Sequence, residues 1–443
     1  MNNLLAGLVL SLVATVVGVW TITRRDRPLH GPRDDGTLGL PRLQRWDVSY
    51  RPPRMQRLRS SLPHMEAGRL LLVGIGLIAV VAAGMYAYSR WRAPSVADAE
   101  AFEERFQVVL NRHAAALAEP DEATAYAILI EARTRLEELA EDLPAGSIDS
   151  RIEQERLALQ GEIDRLANVT RFSTVNVVGG VPPAPENVIP RLISGGGRIF
   201  LLSDALYQLD TANSSLVRLI ATGDTVGEQR VGTIRGAVWR GDRPVVVDET
   251  HAWNLDPATG NWNAEPLGTF DSVGYVAVGA VESFELNLYL LTTDSGQILK
   301  FQAGRYSSSP EDWANGVPQA DLARAVDIAI DGHIWALMPN GAILNMFRSR
   351  VESTLEPAYV PPLDSAIAIS AQPNSAYIYV LNASDGRIVR LARDGRVVQQ
   401  FATPEGFNVF AGAEDFVVDE GTGVAFVLAN DTIYSVRIPP PTS

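Results

Sequence analysis

Three carboxylates are the most chemically suggestive residues of this chain: Asp327 in AVDIAI (325–330), and Glu414 with Asp415 in EDFVVD (414–419). If these short apolar runs lie side by side, their acids could hold a divalent cation that polarises an ester or phosphoester bond. Histidine adds nothing to such a site, because His30, His64, His113, His251 and His333 never pair at metal-ligand spacing. Cysteine is absent, which removes disulfides, thiolate nucleophiles and thiolate metal sites. Neither G-x-S-x-G nor a Walker loop occurs, and GGVPP (179–183) and GGG (195–197) read as turns. The remaining candidates are aromatic. WNLDPATGNWN (253–263) places Trp253 and Trp262 around a turn, and Trp313 follows in SPEDWA (309–314). Exposed tryptophans would stack on a glycan or peptide, whereas buried ones would pack between sheets. We therefore expect no catalytic residue, cofactor or metal, and take Trp253, Trp262 and Trp313 as candidate ligand or partner contacts.

The elements that must carry these residues show in the hydropathy pattern. RIFLLSDALYQL at 198, PVVVDETHAWNL at 244, NLYLLTTDSGQILKF at 287, HIWALMPNGAILNMF at 333, YIYVLNASDGRIVRL at 377 and VAFVLANDTIYSV at 424 share one scheme. Each is an alternating apolar strand, a short polar turn and a second strand, which is the pattern of a hairpin with one face buried. With anchors at Ile199, Val245, Leu288, Ile334, Ile378 and Ala425, the spacings are 46, 43, 46, 44 and 47 residues. A period near that length with strand-only content predicts propeller blades of four strands, hence six blades over residues 170–439. The residue after each anchor, Phe200, Val246, Tyr289, Trp335, Tyr379 or Phe426, should fill the space between neighbouring sheets. AVDIAI, SAIAIS (365–370) and EDFVVD should be innermost strands, which puts the three acids near the axis. The last blade lacks an outer strand, and FSTVNVV (172–178) should supply it and close the ring. The acids Asp248, Asp256, Asp294, Asp331 and Asp385 fall at hairpin turns, where aspartate binds its own backbone.

Upstream, residues 95–168 are rich in Ala, Glu, Leu and Arg. Leu129, Leu136, Leu139 and Leu143, and then Ile152, Leu159, Ile163 and Leu166, recur at coiled-coil spacing and predict a helical hairpin stalk. Pro120, Asp121 and Glu122 mark a helix start, PAGS (144–147) marks a break, and a shorter helix should run through Phe102, Phe106, Val109 and Leu110.

Two uncharged runs, Leu4–Ile22 and Leu70–Tyr88, are each long enough to span a bilayer as a helix. They define transmembrane segments at 1–22 and 70–89, with the second membrane helix followed by the stalk. Between them, residues 23–69 are rich in arginine, beginning with Arg24, Arg25 and Arg27. By the positive-inside rule this loop is cytoplasmic, which places stalk and propeller on the extracytoplasmic side of the cell membrane. Its arginines should meet anionic lipid headgroups, with a cytoplasmic protein partner as the sharper alternative. The charge is divided: residues 1–92 carry 13 Arg against five acids, a formal +8, and the rest carries −22. So acidic a domain repels phosphates, which excludes nucleic acid as a partner.

The run from Ala325 to Ala402 resembles NHL-like propellers. It is more closely similar to the extracytoplasmic propeller of bacterial PPM-type phosphatase relatives, on AVDIAIDGHIWALMPNGAILNMF, SPEDWA and AYIYVLNASDGRIVRLARDGRVVQQF. That resemblance implies a membrane-linked sensing or protein-binding domain with a signalling role. No phosphatase domain accompanies it here, since Asp34 and Asp35 in the short loop lack the other acidic ligands of a two-metal centre. The expected function is a membrane-anchored propeller that binds a ligand, protein or glycan. The alternatives are a metal-dependent lactonase-like hydrolase using Asp327, Glu414 and Asp415, and a structural subunit of a membrane complex.

Overall fold

The computed structural model describes residues 76, 78–85, 96–143, 150–185, 188–270, 275–373 and 375–440. It divides into two units, Met1–Ala93 and Pro94–Ser443. In the first, residues 78–85 are helical and expose Ile78, Val80, Val81 and Met85. Among the described residues no helix is long and apolar enough to cross a membrane. The first expected span, most of the second, and the loop with Arg24, Arg25 and Arg27 lie outside the described residues.

The second unit begins with three helices, α1 (Val96–Ala118), α2 (Glu122–Glu141) and α3 (Ser150–Leu166). Asp121 caps α2 by accepting the Thr124 N–H at 2.8 Å, as expected of an aspartate at a helix start. The leucines 129, 136 and 139 of α2 and Ile152, Leu159 and Ile163 of α3 are buried together with Phe106 and Val109 of α1. The apolar seams are thus covered by helices of the same chain. The first helix is the longest of the three, where the sequence suggested the shortest, because polar residues between its apolar positions face water over most of its length. His113 of α1 and Glu155 of α3 join the two helices at 2.6 Å.

Downstream stand six radial sheets, confirming the six-bladed reading. Their inner strands are Arg191–Gly195, Ile234–Arg240, Val278–Phe284, Asp327–Ile330, Ala366–Ala371 and Ala413–Asp419. Each inner strand touches the next, and the sixth touches the first, so the ring is closed. The fourth blade shows how the sequence dictates a turn. Gly332 and Gly341 both take positive φ (+119° and +82°), and a Cβ at Gly341 would lie 2.7 Å from the Tyr359 ring. AVDIAI is therefore an inner strand, and HIWAL and AILNMF form the hairpin joined through MPNG.

Large side chains fill the space between blades as expected: Phe200, Tyr289, Trp335, Tyr379 and Phe426 each pack toward the following blade. Blade two departs from the expected register. Val246 faces back to Phe200, while Val245 and Val247 face blade three. Three consecutive valines hide the alternation, and the matching anchor is Pro244 rather than Val245.

Closure uses the segment that precedes blade one. Asn176–Gly180 pairs antiparallel with Thr432–Arg437 as the outer strand of blade six. This strand begins four residues later than the start of FSTVNVV, because Phe172 is drawn inward to stack on Phe401 and meet Phe410 edge-on. Just before it, Val169–Arg171 adds in parallel to Val397–Ala402 as a fifth strand of blade five. The helical bundle is held there by Arg156 to Glu405 (3.0 Å), and by the Gln400 side chain donating to the Ala167 carbonyl (2.6 Å).

Candidate functional site

The pairing register lines up one residue per blade around the axis: Arg191, Gly236, Ala280, Asp327, Ala368 and Asp415. Each sits opposite the same position of its second strand, which is leucine in every blade except for Val247 in the second. Three of the six ring residues are charged and three are small, so the small ones leave the axis to the charged ones. Arg191 of blade one reaches Asp415 of the neighbouring blade six at 3.4 Å and Asp327 of the opposite blade four at 3.9 Å. Its guanidinium also donates to the Gly279 carbonyl of blade three at 3.1 Å. One side chain thereby ties four blades together.

Both aspartates also stitch neighbouring blades. Asp327 accepts the backbone N–H of Ile369 (2.9 Å) and Asp415 that of Leu192 (2.6 Å), in each case from the inner strand of the following blade. Glu282 lies two residues deeper on the third blade's inner strand and lines the same chamber of about 370 Å³. Burial raises the Asp415 carboxyl to about 7, with Asp327 adding repulsion and Arg191 opposing. Burial, then Asp327, carries Glu282 to about 8, and burial likewise raises Asp327. Burial works against the charge of Arg191, but Asp327 and Asp415 outweigh it and keep the guanidinium ionised.

The mouth of the channel is built by irregularities in pairing. In blades two, three, five and six the inner strand carries one extra residue at its start, and these residues are Arg235, Gly279, Ile367 and Glu414. A bulge turns a side chain away from the pleat. All four line a cavity of about 770 Å³ at the start of the inner strands. Arg235 is 10% exposed and its Nη2 donates to Glu249 at 2.5 Å, while its Nε is buried with no hydrogen-bond partner. Glu414 therefore leaves the trio proposed from the sequence: Asp327 and Asp415 meet at the axis, and Glu414 stands at the rim. There, burial and then Asp431 raise its carboxyl.

These residues do not fit a divalent cation. The cationic place between Asp327 and Asp415 is taken by Arg191, and among the described residues no three histidines or carboxylates converge as metal ligands. His333 stacks on Trp335 and Phe347, and His251 bonds to the Thr250 hydroxyl.

The three tryptophans differ in exposure. Trp253 is wholly buried, with its Nε1 donating to Asp248 at 2.7 Å, so it presents nothing to a ligand. Trp262 and Trp313 are half-buried against the blade interfaces, and Trp262 donates to the Leu219 carbonyl. Sequence reasoning missed Arg191, Arg235 and Glu282. The signal for Arg191 was present, since the repeat alignment puts it in the column of Asp327 and Asp415.

No family model matches the sequence, and no curated protein does. Solved structures do match in shape. A gluconolactonase from Xanthomonas campestris is 8% identical, covers 62% of this chain and 93% of its own, and has a TM-score of 0.42. An oxidoreductase described as a glucose dehydrogenase from Thermus thermophilus is 12% identical, with 59% and 99% covered and a TM-score of 0.39. Glutaminyl cyclase from Myxococcus xanthus is 13% identical, with 59% and 95% covered and a TM-score of 0.30. Their stated activities differ from one another, and the chemistry of this chain has to be read from its own residues.

Proposed function

We propose that this chain is a membrane-anchored, non-catalytic recognition module whose propeller binds a ligand or partner at the channel mouth, outside the cytoplasm. One observation carries the reading: Arg191 occupies the axial position between Asp327 and Asp415, and both carboxylates are engaged as ties between blades. Groups used in this way hold the ring rigid, and the chemistry left for a ligand is at the mouth, where bulges present Arg235, Ile367 and Glu414. The anchor is the pair of uncharged runs at Leu4–Ile22 and Leu70–Tyr88, with the arginine loop on anionic lipid and open to a cytoplasmic partner. In this proposal the role matches that implied by the likeness to propellers of PPM-type phosphatase relatives, with signal passing through the helices to the arginine loop.

Two measurements test it. Calorimetry with calcium and a lactone turnover assay should both be silent, and calcium-dependent hydrolysis would establish the hydrolase instead. Reporter fusions at residue 45 and at the C-terminus should report opposite sides of the membrane, and a cytoplasmic C-terminus would overturn the placement.

A further inference from the structure

Resting on the recognition reading, and deepening it, is the chemistry of the mouth itself. The chain carries a formal charge of −14, yet the mouth is lined by two guanidiniums, Arg191 and Arg235, against one acid, Glu414. The deeper acids Glu282, Asp327 and Asp415 line the inner chamber and not this cavity. Arg191 is held by Asp327 and Asp415, so Arg235 is the guanidinium at the mouth with a donor left over for a ligand.

Arg235 is also half used. An arginine presents Nε–H and one Nη–H along a single edge, spaced to meet the two oxygens of one carboxylate. Glu249 takes Nη2 at 2.5 Å, and Nε remains buried without a partner. A buried donor left unpaired costs about 1–3 kcal/mol, and a ligand that satisfies it recovers that cost. Glu249 lies in the turn between the second and third strands of blade two with its side chain 36% exposed, so it is free to swing aside. Around the arginines the walls are aliphatic: Val326 and Ile367, with Ile189 and Val276 exposed at the rim. A cavity of about 770 Å³ is within the range of small-ligand sites.

We infer that the channel mouth binds a carboxylate joined to a small aliphatic group, with Arg235 as its anchor through Nε and Nη2 and with Glu249 displaced. A free branched short-chain acid and the C-terminus of a peptide ending in an aliphatic residue share this chemistry.

The test is calorimetry on the intact chain in detergent, with isovalerate, its amide and isoamylamine as probes of one shape and three charges. Isovalerate should bind at least about tenfold more tightly than the amide, and the amine should not bind. Arg235→Met should weaken isovalerate about tenfold or more, with a thermal melt verifying the fold. Glu249→Gln should tighten it, because a competitor for Nη2 is weakened, and a purely structural arginine would show no such gain. An acetylated tripeptide ending in valine separates the sources: tighter binding than isovalerate, lost on amidation, assigns a peptide terminus, and weaker binding assigns the free acid. Equal affinity for acid and amide, no binding of either, or unchanged affinity in Arg235→Met would each overturn the inference. Preference for the amine would sink it while leaving the recognition reading standing, whereas calcium-dependent lactone turnover would remove that reading beneath it.

Discussion

Replacing Arg191 by methionine should destabilise the propeller by an amount that grows with pH. The guanidinium lies 3.4 Å from Asp415 and 3.9 Å from Asp327. At an effective dielectric constant of about 20, each contact represents roughly 4–5 kcal/mol of gross attraction, much of it offset by desolvation. Removing one partner of a buried pair typically costs about 3–5 kcal/mol, and that is the expected loss at pH 8.5. At pH 5 the loss is smaller. Asp415, raised to about 7, and Glu282, raised to about 8, then hold protons and need no counter-charge. What remains is the contact with Asp327 and the hydrogen bond to Gly279, the latter about 1.5–3 kcal/mol. The sign follows from linkage. Carboxyls raised in the fold retain protons that the unfolded chain has released, so their contribution is fully present below the unfolded values near 4 and is lost as pH rises toward 7 and 8. Wild-type stability should therefore decline over that window, and the variant, whose carboxyls are raised further, should decline more steeply. Urea unfolding of the intact chain, followed by tryptophan fluorescence at pH 5 and pH 8.5, measures both. An equal loss at the two pH values would refute the coupling of Arg191 to these acids.

Other expectations concern the frame. Deleting Asn176–Gly180 should lower the melting temperature by at least ~10 °C, because blade six loses its outer strand, and an unchanged melt would show that the ring closes otherwise. Trp253→Phe should cost about 1–3 kcal/mol in urea unfolding by leaving the buried Asp248 short of a donor, without altering binding of any ligand at the mouth. Leu129→Ala in α2 should cost about 2–5 kcal/mol, observed as an earlier loss of the helical circular dichroism signal, since Leu129 is 1% exposed at the centre of the bundle.

The architecture was legible because its signal is physical and repeated. Alternation with large residues such as Phe200, Tyr289 and Trp335 has one economical burial, against a neighbouring sheet, and six occurrences leave a ring as the way to cover every face. Register was legible only where alternation breaks, which is why the valines of blade two misplaced their own anchor. The site was less legible for three reasons. Bulges at Arg235, Ile367 and Glu414 insert residues that no periodic pattern announces. The partners of Arg191 come from blades far apart in the chain. The burial of Trp253 depends on a neighbouring blade's Phe200 and Leu202, which spacing within WNLDPATGNWN cannot report.

The strand Asn176–Gly180 also sets a timetable for biosynthesis. It is made before any blade, yet its partner Thr432–Arg437 belongs to the sixth and last of the blades to be made. Its neighbour Val169–Arg171 waits similarly for Val397–Ala402. The bundle and the early blades can assemble while these edges stay open, so a nascent chain exposes unsatisfied backbone until the sixth blade has been made. An early stop codon would release a fan with adhesive margins in place of a smaller toroid, a species prone to edge-to-edge association.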